Sequence, residues 1–302
     1  MSPAGAAAPA VTVWSAEPLT LGEGPLAHAE RGSLVWFDIL GRTLHEKRFD
    51  GGPTRTHRLP VMASAAALVD GRRVLLATEV DLRLFDLDDG TSGVVAALEA
   101  DDPGTRSNDA RVHPCGAFWI GTMGRGAEPE RGSVWWFLGG EMRLLFARLT
   151  IPNAICFAPD GRTAYFADTA RATIWRVETD PGTGLPLGDP AVFRAPGPGE
   201  AEQDGMPDGA IVDGDGTLWN ARWGGWSLDG YAPDGRRTAS VRLPVAQPTC
   251  PAFAGAALDR LVVTTARGNL SEDDLAGQPA AGAVLHVDLP VRGRAEPRVR
   301  LA

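Results

Sequence analysis

A turn followed at once by a short β-branched or aromatic segment recurs six times along this chain. The turns contain Asp-Gly, Pro-Asp-Gly or related sequences, which are typical of tight hairpins because glycine and aspartate tolerate positive φ and hydrogen-bond locally. The segments that follow the turns are Leu34–Ile39, Val74–Thr78, Phe118–Gly121, Thr163–Ala167, Leu218–Ala221 and Leu261–Thr265. They recur at intervals of roughly 40 to 55 residues, which is the length of a propeller blade with four strands.

Six units of this size account for nearly all of the 302 residues. We therefore predict an all-β fold, a single six-bladed β-propeller over residues 11–302, after a flexible tail at residues 1–10. Val11–Trp14 can pair with strands around Val284–Leu289, which would close the ring and hide two sheet edges. Two β-sandwiches of about 150 residues are the alternative. No linker-like change of composition marks a boundary between two such domains, which favours the propeller.

Composition excludes several classes of function. The chain has 29 Lys and Arg against 38 Asp and Glu, a net charge of -9, so it lacks the cation excess that nucleic-acid binding requires. Three cysteines are too few for a disulfide framework in a chain of this size. No segment approaches the ~20 apolar residues of a membrane span. We expect a soluble, cytoplasmic protein with no nucleic-acid or membrane partner, and the sequence leaves its oligomeric state open.

The propeller prediction brings distant polar residues together. Counting back about 11 to 13 residues from each strand centre reaches the start of the preceding strand, which lines the central channel of a propeller. These positions hold Glu23, Ser64, Asn108, Asn153, Asp208 and Thr249. Two carboxylates and two amides at one channel mouth form an oxygen-rich cluster of the kind that hard divalent cations prefer. A polar channel bridged by water is the alternative.

Two further groups of residues flank this predicted channel mouth. Arg106 and Asn108 offer donors for the hydroxyl and carbonyl oxygens of a small polar ligand, although a loop salt-bridge network would use the same residue types. Asp109 is better suited to bridging neighbouring strands. Trp223 and Trp226 follow the Asp208 strand and could either wall a sugar-sized pocket or pack in the core.

These motifs resemble the senescence-marker-protein/gluconolactonase family, the regucalcin-type sugar lactonases, over essentially the whole chain. The resemblance rests on the order and spacing of several short pieces. They are Leu21-Gly22-Glu23-Gly24-Pro25, Arg106-x-Asn108-Asp109, Phe118-Trp119-x-Gly121-Thr122-Met123, Pro152-Asn153, Ala158-Pro159-Asp160-Gly161, Met206-Pro207-Asp208-Gly209 and Trp223-Gly224-Gly225. The resemblance implies a six-bladed propeller with one catalytic divalent metal at the channel mouth.

The resemblance assigns roles to individual residues of this chain. It implies that Glu23, Asn153 and Asp208 are metal ligands and that Arg106 and Asn108 contact the substrate. Relatives often carry an acidic residue shortly after Gly-Thr-Met, whereas Gly124-Arg125-Gly126 follows Met123 in this chain. The hydroxyl preference of this chain is therefore open.

The predicted function is metal-dependent hydrolysis of a sugar lactone to the aldonic acid. A divalent cation (calcium, magnesium, manganese, iron(II) or zinc) would polarise the carbonyl, and Asp208 would be the general base. Arg106 and Asn108 would orient the sugar hydroxyls. The alternatives are a metal-dependent phosphotriesterase or aryl-lactonase, and a non-enzymatic calcium-binding propeller.

Overall fold

The fold is described from a computed structural model, which covers residues 9–197 and 204–301. Most of the predicted tail at residues 1–10 lies outside the described residues. The strands, in chain order, are β1 (Val11–Ser15), β2 (Gly22–His28), β3 (Ser33–Asp38), β4 (Thr43–Arg48), β5 (Arg55–Arg58), β6 (Ala63–Leu68), β7 (Arg73–Thr78), β8 (Asp81–Asp86), β9 (Ser92–Ala97), β10 (Thr105–Val112), β11 (Phe118–Gly124), β12 (Gly132–Leu138), β13 (Glu141–Leu149), β14 (Pro152–Phe157), β15 (Thr163–Asp168), β16 (Thr173–Glu178), β17 (Ala191–Arg194), β18 (Met206–Val212), β19 (Leu218–Trp223), β20 (Ser227–Tyr231), β21 (Arg237–Arg242), β22 (Pro248–Ala254), β23 (Arg260–Thr265) and β24 (Val284–Val287). A short α-helix, α1 (Glu272–Gly277), precedes β24, and 3-10 turns occupy Ala29–Arg31 and Thr169–Arg171.

These strands form six four-stranded antiparallel sheets, each of which is one propeller blade. Blades one to five are the consecutive sets β2–β5, β6–β9, β10–β13, β14–β17 and β18–β21. Blade six combines β22–β24 with β1 from the other end of the chain. Val11 pairs with Val287 and Val13 with Leu285. The six-bladed propeller and its closure by Val11–Trp14 are therefore confirmed.

The six predicted strands are the second strands of the blades, β3, β7, β11, β15, β19 and β23. The turns before them work as the sequence predicts. In Pro159-Asp160-Gly161, Gly161 has φ +66°, and the Asp160 carboxylate accepts a hydrogen bond from the Arg162 amide. Aspartate and glycine in tight turns thus set the hairpins that repeat around the ring.

Apolar side chains pack between adjacent blades rather than in one central core. Leu26 and Phe37 of blade one, for example, pack in one cluster with Leu76 and Phe85 of blade two. Equivalent clusters occupy the other blade interfaces, including the one between blades six and one. Burial between the sheets leaves the axis of the ring free for polar residues.

The first strand of each blade lines this axis. β2, β6, β10, β14, β18 and β22 contact one another in a ring. Each also has a shift of register against its neighbour near its start. The shifts lie between Glu23 and Leu26, Ala63 and Ala65, Ser107 and Ala110, Asn153 and Cys156, Pro207 and Ala210, and Pro248 and Pro251. Such bulges re-aim side chains and are common beside active sites.

Cys115, Cys156 and Cys250 are all free thiols, so no disulfide contributes to the fold. Within residues 9–197 and 204–301, no helix is long and apolar enough to cross a membrane.

Candidate functional site

The entry ends of the inner strands surround a pocket of about 320 Å³. Its volume is at the lower end of the range of small-molecule sites, roughly 300–1,000 Å³. All five residues to which the sequence assigns a role in the site lie in its wall. They are Glu23, Arg106, Asn108, Asn153 and Asp208, and each is at least nine-tenths buried.

The remaining two positions of the predicted ring have other contacts. Ser64 donates a hydrogen bond to the Ser107 hydroxyl at 2.8 Å. The Thr249 hydroxyl donates to the Gly22 carbonyl at 2.5 Å. Neither Ser64 nor Thr249 lines the pocket, so both link neighbouring inner strands instead.

Glu23 and Asp208 are the two carboxylates of the pocket. Burial, with the nearby Asp109 carboxylate, raises the pKa of Glu23 to about 8. Burial also raises the pKa of Asp208 well above its ordinary value, with repulsion from Glu23 and then Asp109 as further causes. Two neighbouring buried acids that disfavour the charged form favour the binding of a cation.

Asn153 is held on both sides of its amide. Its Oδ1 accepts a hydrogen bond from Asn108 Nδ2 at 3.1 Å, and its Nδ2 donates to Thr169 Oγ1 at 2.8 Å. Thr169 in turn donates to the carbonyl of Pro207, the residue before Asp208, at 2.7 Å. An amide oxygen accepts two hydrogen bonds or ligand contacts, so Asn153 Oδ1 has one lone pair left for a cation.

Arg106 and Asn108 form a second polar group in the pocket wall. Arg106 Nη1 donates to Asn108 Oδ1 at 2.9 Å and to the Ser107 carbonyl at 2.8 Å. Burial lowers the pKa of Arg106 to about 10, which still leaves the guanidinium charged at neutral pH. No carboxylate hydrogen-bonds to this guanidinium among the described residues, so the salt-bridge alternative does not describe Arg106.

Asp109 has the bridging position that the sequence suggests. Its buried Oδ2 accepts a hydrogen bond from the Ile155 amide of the next blade at 2.7 Å. Ile155 lies inside the bulge of β14, where Ala154 has φ +54°. This contact fixes the backbone that presents Asn153. Burial raises the pKa of Asp109 to about 6.

The donor set fits a hard divalent cation. Glu23, Asp208 and Asn153 supply oxygen atoms from two carboxylates and one amide, which calcium, magnesium and manganese all accept. No group of three His, Cys, Asp or Glu side chains suited to a metal occurs in the described part of the chain. A cation at this place would therefore need Asn153 as a ligand, and its remaining coordination positions would be open to water or substrate.

The pocket wall also contains residues that the sequence analysis did not assign to it. Leu40, Arg125 and Asn269 lie in the wall, each from a loop or strand end without a motif. For Arg125, there is one indication in the sequence: Gly124-Arg125-Gly126 follows Met123, where the family resemblance leads one to expect an acidic residue. Of the two tryptophans considered, Trp223 lines the pocket, whereas Trp226 has a cation-π contact with Arg242 instead.

Comparison with known proteins gives consistent matches over most of the chain. Residues 21–267 match the family model described as SMP-30/Gluconolactonase/LRE-like region. A putative sugar lactone lactonase of Rhizobium meliloti (strain 1021) is 44% identical over 93% of this chain and 94% of the relative. An L-arabinolactonase of Azospirillum brasilense is 40% identical over 88% of this chain and 87% of the relative. The crystal structure of a calcium-binding protein, regucalcin, from Agrobacterium tumefaciens strain C58 is 43% identical and superposes with a TM-score of 0.93, covering 96% of this chain and 97% of that one.

Proposed function

Because the chain belongs to the SMP-30/gluconolactonase/LRE-like family, we propose that it is a metal-dependent lactonase that hydrolyses a sugar lactone to the aldonic acid. Relatives named sugar lactone lactonase and L-arabinolactonase support the reaction class. The observation that carries the proposal is the pairing of two buried carboxylates with an amide and a guanidinium in one pocket.

Glu23, Asn153 and Asp208 would hold a divalent cation, because their oxygens share the pocket and two of them are mutually repelling acids. The calcium-binding regucalcin relative is in keeping with such a site. When bound, the cation supplies Lewis-acid polarisation of the lactone carbonyl, an effect of several kcal/mol. Beside such a charge, both carboxylates would stay ionised.

Asp208 is the base for the attacking water. Its carboxylate oxygen takes a proton as the water oxygen bonds to the carbonyl carbon, and the ring C–O bond breaks. The proton then reaches the departing ring oxygen, so the product is a hydroxy acid with its carboxyl group free. Burial of Asp208 keeps bulk water from competing for this proton transfer.

Arg106 and Asn108 orient the substrate. Arg106 Nη1 fixes the Asn108 amide, so the two side chains keep a constant spacing. Both protons of Asn108 Nδ2 are used within the protein, so Arg106 would donate to the sugar, and Asn108 Oδ1 would accept from a hydroxyl with its remaining lone pair. Asn108 Nδ2 donates to Asn153 and to the Pro152 carbonyl, which ties the substrate side of the pocket to the metal side. Preorganised polar groups of this kind lower the cost of aligning a polyol.

Asp208→Asn tests the proposal, since the amide keeps the shape of the carboxylate and cannot accept the proton. After chelation and re-metallation, the variant should lose at least 10³-fold in kcat on sugar lactones, with spontaneous opening subtracted. Asp234→Asn, a change at an exposed hairpin turn on the same blade, is the matched control. Near-wild-type turnover by Asp208→Asn would refute the mechanism.

A second candidate is a lactonase or phosphotriesterase acting on aryl substrates. Leu40, Met123 and Trp223 give the pocket an apolar side, and Leu40 is half exposed. A panel of pentono- and hexonolactones against aryl esters separates the two, since faster turnover of the aryl esters would favour this candidate.

A further inference from the structure

Arg125 is fixed at the wall of the pocket by two neighbouring segments. Its Nη2 forms an ion pair with Glu79 Oε2, and its Nε donates to the Pro103 carbonyl at 2.8 Å. Glu79 is itself buried, and its Oε1 accepts a hydrogen bond from the Met62 amide at 3.0 Å. The guanidinium is therefore held in one place before any ligand binds.

Two features leave Arg125 able to bind a ligand. Its Nη1 has no hydrogen-bond partner among the described residues, whereas its other two nitrogens have partners. Its side chain is more than one-third exposed, and the residue lines the same pocket as Glu23 and Asp208. Since the ion pair with Glu79 uses only one edge, the remaining edge is free for a planar acceptor such as a carboxylate.

The charges of the pocket wall favour an anion at this position. A divalent cation would balance Glu23 and Asp208, and Glu79 pairs with Arg125, whereas no carboxylate pairs with Arg106 among the described residues. Arg125 also lowers the pKa of Arg106, which indicates that the two guanidiniums lie near each other. Two neighbouring guanidiniums, of which only Arg125 has a paired carboxylate among the described residues, attract a substrate that carries a negative group.

We propose that Arg125 determines substrate specificity and that it selects sugar lactones carrying a carboxylate at the end remote from the lactone carbonyl. This inference rests on the proposed function. The lactone carbonyl would face Glu23, Asn153 and Asp208, and the second carboxylate would accept hydrogen bonds from Arg125.

Two lactones that differ only at carbon six provide the test. D-galactono-1,4-lactone ends in a hydroxymethyl group, and D-galactaro-1,4-lactone ends in a carboxylate. The wild-type protein should have at least a tenfold higher kcat/KM for the galactarolactone. Arg125→Gln should lower the ratio of the two kcat/KM values at least tenfold, and Arg125→Lys should restore most of it because the charge is kept.

Arg131→Gln is the matched control. Arg131 belongs to the same loop region and pairs with Asp102, but it does not line the pocket, so its loss should leave the ratio unchanged. Thermal unfolding of each variant checks that the fold is intact. If the protein hydrolyses the galactonolactone and the ratio of the two kcat/KM values is the same in the wild type and in Arg125→Gln, the inference is overturned.

Binding of the products separates failure of this inference from failure of the proposed function. If neither lactone is hydrolysed above its spontaneous rate, the lactonase proposal fails. Calorimetry on the metal-loaded protein then decides the inference by itself. Galactarate should bind at least tenfold more tightly than galactonate to the wild type but not to Arg125→Gln, and equal affinities would overturn it.

Discussion

Thr169 shows how one hydroxyl fixes two proposed ligands. It accepts a hydrogen bond from the Asn153 amide and donates one to the Pro207 carbonyl beside Asp208. Outer contacts of this kind typically change metal affinity 10- to 100-fold. Thr169→Val should therefore weaken calcium or manganese binding about tenfold, as measured by calorimetry. Thr173→Val removes a hydroxyl that, within the described part of the chain, bonds only to the Arg171 carbonyl, so it should leave the affinity unchanged. Equal losses of affinity in both variants would contradict the role of Thr169.

The two pocket carboxylates predict a pH dependence of the metal-free protein. The pKa of Glu23 is raised to about 8 and that of Asp208 is also raised, so the folded state binds more protons than the unfolded chain. Stability from these groups is thus greatest near pH 4 to 5 and is lost as the pH rises through about 8. One such group contributes a slope of up to about 1.4 kcal/mol per pH unit.

In a chelating buffer, the melting temperature should therefore fall between pH 5 and pH 8. Asp208→Asn should flatten this decline, because the amide carries no charge to desolvate. Asp234→Asn, at an exposed turn, should behave like the wild type. A melting temperature of the wild type that stays constant over this range would contradict the prediction.

The sequence predicts single residues of the candidate site where their distance along the chain from the repeated strands is enough to place them. Glu23, Asn108, Asn153 and Asp208 follow from counting back to the first strand of each blade, since a propeller brings those strand starts together. Their partners were not predictable in this way. Glu79 holds Arg125 through a contact between two blades, and no local sequence pattern indicates such a pair.

At the scale of elements, the bulges of the inner strands aim the side chains. Gly24, immediately after Glu23, has φ +55°, and a Cβ on it would lie 2.2 Å from the Ser64 carbonyl oxygen. Gly22, Gly24 and Pro25 flank Glu23 in the sequence, and such residues are typical of an irregular strand. A register shift depends on the partner strand as well, so its position could not be read from one strand alone.

Gly24→Ala should therefore distort the strand that presents Glu23. The backbone strain of about 1 kcal/mol adds to a clash with backbone atoms, which together should cost about 3 kcal/mol and lower kcat/KM at least tenfold. Gly139→Ala is the matched control because Gly139 has φ +59° and no atom within 4 Å of a Cβ. Denaturant unfolding and lactone hydrolysis measure both effects, and equal costs in the two variants would show that the close approach at Gly24 is unimportant.

At the scale of the whole molecule, the segment after β24 (residues 288–301) connects the blades by hydrogen bonds at the end of the channel opposite the pocket. The Gly214 amide of blade five donates to Arg292, and the Val299 amide donates to Leu68 of blade two. The Arg300 amide donates to the Gly116 carbonyl of blade three. Repeats in the sequence predicted six blades and the closing strand β1, but this crossing segment has no repeat and no motif, so the sequence did not indicate it.

Glu296, within this segment, pairs with Arg111 of the inner strand β10 at 2.5 Å, and both side chains are only 9% exposed. Loss of one partner of a buried pair leaves an uncompensated charge and costs about 3–5 kcal/mol, whereas exposed pairs contribute about 0–1 kcal/mol. Glu296→Ala should thus lower the melting temperature by about 5–8 °C. Glu141→Ala removes a carboxylate that pairs with Arg143, and both of these side chains are about 50% exposed. This control should change the melting temperature little. Similar decreases in melting temperature in both variants would mean that this ion pair does not stabilise the contact between the crossing segment and the inner strands.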